Sequence, residues 1–155
     1  MAKIEISGIS VADYLAKYKP TDSLSNEQME ALQREVVADI ATMMREHGAT
    51  EVVIQQYTPV FNDGEPCVHI ISDPYINGYN MYGYNVAGDP LDSIENSGYY
   101  SPERTEFRDG RKELHNAIVG AEDALYRAFD TNTQITITRD GDTATYSSEY
   151  YDCGY

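Results

Sequence analysis

The chain has no tryptophan, only three phenylalanines and two cysteines, and few bases: eleven Lys and Arg stand against 26 Asp and Glu in 155 residues, a net charge of −15. Each shortage excludes something. With so few cations, phosphates would be repelled, so direct nucleic-acid binding is not expected. Anionic membrane surfaces are excluded on the same ground. No apolar run exceeds three residues, too short for a transmembrane helix or the core of a signal peptide. Cys67 and Cys153 are too few and too far apart for a disulfide framework. They read as free thiols in a reducing compartment, which predicts a cytoplasmic protein. No Walker A loop or GxGxxG run is present, and no cofactor is expected.

The shortage of bases is also local. From Glu46 to Glu103 there is no Lys or Arg, while Glu46, Glu51, Asp63, Glu65, Asp73, Asp89, Asp92, Glu95 and Glu103 all fall there. The last sixteen residues hold Asp140, Asp142, Glu149 and Asp152 and no base, whereas residues 1–20 are slightly positive. Carboxylates without cations nearby repel one another. Such a surface suits a basic partner.

The length fits one domain, residues 1–155, with a buried core. Ile4, Ile6 and Ile9 suggest a short strand or arm, followed by a weak helical stretch over Val11–Tyr18 that ends at Pro20. A strong helix is predicted over Asn26–His47. Ser25 and Gln28 match a capping box, and Met29, Leu32, Val36, Ile40 and Met43 share one face. Gly48 closes it. Thr50–Tyr57 and Cys67–Ser72 read as strands. Residues 73–101 are rich in Tyr, Gly, Asn, Asp and Ser, with no period of 2 or 3.6, and read as one long loop.

A second helix is predicted over Arg111–Phe129, with Leu114, Ile118, Ala121, Leu125 and Phe129 as its stripe. Its start is ambiguous: Ser101-Pro102-Glu103 is an earlier N-terminal signal, and Gly110 is a candidate break. Asp140-Gly141 predicts a tight hairpin in which Ile137 faces Ala144, Ile135 faces Tyr146, Thr138 faces Thr143, and Arg139 meets Asp142. The order α-β-β-α-β-β predicts an α+β fold: an antiparallel sheet of about four strands with two main helices on one face.

The segment Gln56-Tyr57-Thr58-Pro59-Val60-Phe61-Asn62-Asp63-Gly64-Glu65-Pro66-Cys67 resembles a QYTPxFNDGxPC signature of small proteins from tailed bacteriophages and some bacteria. The ending Tyr150-Tyr151-Asp152-Cys153-Gly154-Tyr155 is similar to endings in that group. The resemblance implies a phage-like origin and carries no activity with it.

Chemical motifs are sparse. Cys67 and His69 share a strand face and Cys153 could join them, but there is no CxxC spacing and no fourth defined ligand, so no metal site is expected. Cys67 with His69 or His115 lacks an orienting third group, so no catalytic residue is assigned. His47 suits a helix C-terminus, and His115 is expected to be solvated.

The Tyr-rich loop is the best candidate site. Tyrosine among small polar residues is the composition of adaptable binding surfaces, and its rings can receive arginines through cation–π contacts. The candidate binding residues are Tyr75, Tyr79, Tyr82, Tyr84, Asp89, Asp92, Glu95, Tyr99 and Tyr100, with Asp63 and Glu65 from the earlier turn. The leading expectation is an acidic, non-enzymatic binding protein. It would be phage-encoded and occupy a basic host protein involved in defence or nucleic-acid binding, in one version as a DNA mimic. A small-ligand or nucleotide sequestering protein, a small enzyme and a minor phage structural protein are the alternatives.

Overall fold

The computed structural model describes residues 4–5, 25–58, 69–95, 98 and 101–151. They form an antiparallel sheet with helices on one face, an α+β fold. The expected helical stretch Val11–Tyr18 lies outside the described residues.

Strand β1 is Ile4–Glu5. Helix α1, Asn26–Glu46, starts at Ser25 with the full capping box. Gln28 N–H donates to Ser25 Oγ at 3.1 Å, and Ser25 N–H donates to Gln28 Oε1 at 2.9 Å. Two orphan donors are thereby satisfied within one turn. Leu32, Val36, Ile40 and Met44 are fully buried on its inner face, each stabilising the fold by about 1.5–3 kcal/mol. Gly48, at φ +70°, turns the chain out of the helix.

Strand β2, Glu51–Tyr57, lies in the middle of the sheet. One edge pairs with β5 (Thr133–Asp140) from Glu51↔Thr138 to Gln56↔Thr133. The other edge pairs with two fragments, β3 (Ile70–Ile71) and β4 (Tyr75–Ile76). The expected strand Cys67–Ser72 is thus short, its start lying outside the described residues. The register slips by one residue between Gln56↔Ile71 and Val53↔Tyr75. Residues 72–74 therefore form a bulge at Pro74, which cannot donate to the ladder.

The second helix begins earlier than its apolar stripe. Helix α3 spans Pro102–Gly120, capped by Ser101, and the separate α4 spans Glu122–Phe129. A short α2, Asp92–Glu95, precedes them. Gly110 does not break α3: glycine in a helix interior costs only about 1 kcal/mol. The break falls at Ala121. The stripe Leu114, Ile118, Ala121, Leu125 and Phe129 is buried across it.

The hairpin forms two residues from its expected register. Strand β6, Thr143–Tyr150, pairs Asp140↔Thr143, Arg139↔Ala144, Thr138↔Thr145 and Ile137↔Tyr146. The two turn residues are Gly141 and Asp142, with Gly141 at φ +59°. A shift of two preserves which residues share a face. Ile135, Ile137 and Ala144 are still buried, so facial patterning could not distinguish the registers. Arg139 does not meet Asp142. Its Nε donates to Ala49 O at 2.8 Å, and Asp142 pairs with Arg45 at 3.0 Å.

The sheet order is β1-β6-β5-β2-β3, with β4 also on β2. Each αββ half places its first strand at the centre. Away from the helices, Gln55 Nε2 donates to Gln134 Oε1 at 2.8 Å, and Gln134 Nε2 donates to Glu149 Oε1 at 2.9 Å. This polar ladder crosses three strands.

Candidate interaction surface

The loop after β4 is a run of tight turns. Asn77 and Gly78, at φ +51° and +94°, form a two-residue reversal closed by Ile76 N–H donating to Tyr79 O at 2.8 Å. Asn77 Oδ1 accepts from the N–H of Thr50 at 2.8 Å and of Glu51 at 3.2 Å. This latches the loop to the start of β2.

Two five-residue turns of the same kind follow. Asn80 N–H donates to Tyr84 O at 2.9 Å, and Asn85 N–H to Asp89 O at 2.9 Å. Gly83 N–H donates to Asn80 O at 3.1 Å, and Gly88 N–H to Asn85 O at 2.9 Å. The Asn80 side-chain oxygen accepts from Tyr84 N–H at 3.1 Å, and that of Asn85 from Asp89 N–H at 3.0 Å. Both glycines sit at φ +86°, a conformation costly for any residue with a Cβ. The repeat is Asn-x-x-Gly-x, and its period is five. Reading for periods of 2 and 3.6 passed over it, although Asn80, Gly83, Asn85 and Gly88 are plain in the sequence.

The turns are anchored from beneath. Ile94 is 2% exposed under Gly83, and Leu91 N–H donates to Gly83 O at 2.8 Å. A Cβ on Gly83 would lie 2.8 Å from Ile94 Cγ1.

This geometry sorts the candidate residues. Tyr75 and Tyr79 are half-buried, and burial beside Asp73 raises the Tyr75 hydroxyl pKa. Tyr82 is 48% exposed, Tyr84 37% and Val86, which sequence reasoning did not single out, 48%. Asp89, Asp92 and Glu95 are exposed on the same loop. Asp63, Glu65, Tyr99 and Tyr100 lie outside the described residues, as do Cys67 and Cys153.

The loop is base-free along the chain but not in space. Met81, Tyr82 and Ile94 share a shallow groove with Arg104, Phe107 and Arg108 of α3. Arg104 Nη2 donates to Ile94 O at 3.0 Å.

Two histidines occupy polar niches. His115 is 8% exposed rather than solvated, next to the buried Leu114 and Ile118 on α3. Its Nε2 lies 3.6 Å from Asp73 Oδ1. His69 packs edge-on against Tyr126, with ring centroids 4.2 Å apart, and its Nδ1 lies 3.3 Å from Thr131 Oγ1. The Thr131 hydroxyl also meets Thr58 Oγ1 at 2.8 Å. Beneath them, Gln56 Nε2 donates to Leu125 O at 3.0 Å and to Asp130 O at 2.6 Å. Burial lowers the His69 pKa, opposed by Asp130 and Asp123. The hydroxyl shared between Thr58 and His69 makes this a polar joint between β2 and the turn after α4. Among the described residues, no group of three or more His, Cys, Asp or Glu is placed to hold a metal, and no helix is long and apolar enough to cross a membrane.

No protein-family model matches the chain, and neither a curated protein nor a solved structure does.

Proposed function

We propose that the chain is a non-enzymatic binding protein whose tandem-turn loop docks on a basic protein surface. One observation carries this reading. Tyr82, Tyr84 and Val86 stand exposed within five residues, on a backbone that Asn80 and Asn85 hold in two closed turns. A preorganised aromatic patch binds without a large ordering cost. Asp89, Asp92 and Glu95 are exposed beside it and favour arginines and lysines on the partner. In the finer form of the proposal the chain is phage-encoded and the partner is a host defence or nucleic-acid-binding protein. Its support is the resemblance of residues 56–67 and the charge of −15.

The test is retention of bacterial lysate proteins on the immobilised chain at about 50 and about 300 mM NaCl. A basic protein should be held at the lower salt and released at the higher. It should not be held by the triple variant Tyr82→Ala, Tyr84→Ala, Val86→Ser, with circular dichroism checking its fold. If wild type and variant retain the same proteins, the loop is not the docking surface. Competition by duplex DNA separates phosphate mimicry from other modes.

A further inference from the structure

The first three turns of α3 are built inside out. Glu103, Glu106, Asp109, Lys112 and Glu113 are exposed, while Arg104, Phe107, Arg108 and Arg111 are half-buried on the inner face. These positions, spaced by 3, 1 and 3, continue the stripe that further on is Leu114 and Ile118. Arginine thus takes places where a helix facing its own protein carries apolar residues.

Two of these cations, Arg108 and Arg111, are poorly matched among the described residues. Arg104 spends a hydrogen bond on Ile94 O. Among the described residues, Arg108 has no ion pair or side-chain hydrogen-bond partner. Arg111 lies with its guanidinium carbon 3.8 Å from the Phe107 ring centre, and its Nε is buried without an acceptor. A half-buried guanidinium gives up hydration and needs an anion or acceptors in return. Among the described residues, no acidic side chain bridges Arg108 or Arg111.

We infer that the groove between the tandem-turn loop and α3 binds a small phosphorylated ligand bearing a planar ring, of the nucleoside monophosphate class. Guanidinium forks match phosphate oxygens in pairs. Tyr82, 48% exposed, lines the same groove and offers a ring for stacking. The groove encloses only about 20 Å³, room for about one water molecule, so the ligand lies along it rather than inside it. The site shares Tyr82 with the docking surface, but its cations Arg104 and Arg108 belong to α3, with Arg111 one turn further along.

The test is calorimetric titration of the full chain with AMP, GMP, adenosine and inorganic phosphate. A nucleotide should bind with Kd below about 1 mM, and adenosine and phosphate at least about tenfold more weakly. Arg108→Gln should weaken nucleotide binding by about tenfold or more, and Arg108→Lys by less, since the charge survives but the fork does not. Lys112→Gln, on the exposed face, should leave binding within about twofold. The inference is overturned by silence from both nucleotides up to about 5 mM, by adenosine or phosphate matching them, or by undiminished binding to Arg108→Gln. The Arg108 and Lys112 variants leave Tyr82, Tyr84 and Val86 in place, so their outcomes are separate from those of the docking test.

Discussion

His69 shows how burial sets a side chain's contribution to stability. Desolvation holds its pKa below the ordinary 6.5, with Asp130 and Asp123 pulling weakly the other way. The neutral ring is therefore favoured in the folded chain. Above about pH 6.5 both states are neutral and there is no penalty. As pH falls through that value the unfolded chain takes up the proton first and stability is lost, until the folded ring also protonates. Melting scans between about pH 7.5 and 5.5 should show a smaller fall for His69→Gln than for wild type. Equal falls would mean that His69 is not desolvated. The Ser25 cap was readable because its partners lie three residues apart. His115 was misread because its surroundings include Asp73, 42 residues away along the chain.

Among the elements, the tandem turns allow the sharpest comparison. Gly83 and Gly88 share φ +86°, but a Cβ at Gly88 meets nothing within 4 Å, whereas one at Gly83 strikes Ile94. Gly88→Ala should therefore cost about 1–2 kcal/mol from backbone strain alone. Gly83→Ala should cost about 1–3 kcal/mol more by displacing a buried side chain. Urea unfolding of the full chain measures both, and equal costs would show that Ile94 does not support the turn. The helices and long strands were legible because each advertises its own period. The β3–β4 break was not, since a bulge at Pro74 depends on pairing with β2. The hairpin register was hidden because two registers give the same buried face. The two turns of the loop were not legible because five is not a period of helix or strand.

At the scale of the whole molecule, charge dominates. Arg45 and Asp142 bridge at 3.0 Å with side chains 42% and 81% exposed, too solvated to offset a net charge of −15. Raising NaCl from about 20 to about 300 mM should raise the melting temperature by about 2–5 °C through screening. A lower value at high salt would show the carboxylates to be well paired already. The acidic balance was readable by counting. The arginines beside the Tyr loop were not, since only folding brings α3 against residues 81–94. The sheet order also bears on how the chain folds. The β5–β6 hairpin closes across two residues, but the central seam must join Glu51–Gln56 to Thr133–Thr138. Bringing such distant segments together costs loop entropy before any contact repays it. The central seam should therefore assemble after the β5–β6 hairpin, and the β1 edge, which pairs Ile4 with Ala144 across a longer stretch of chain, later still; neither αββ half completes a sheet without the other's first strand.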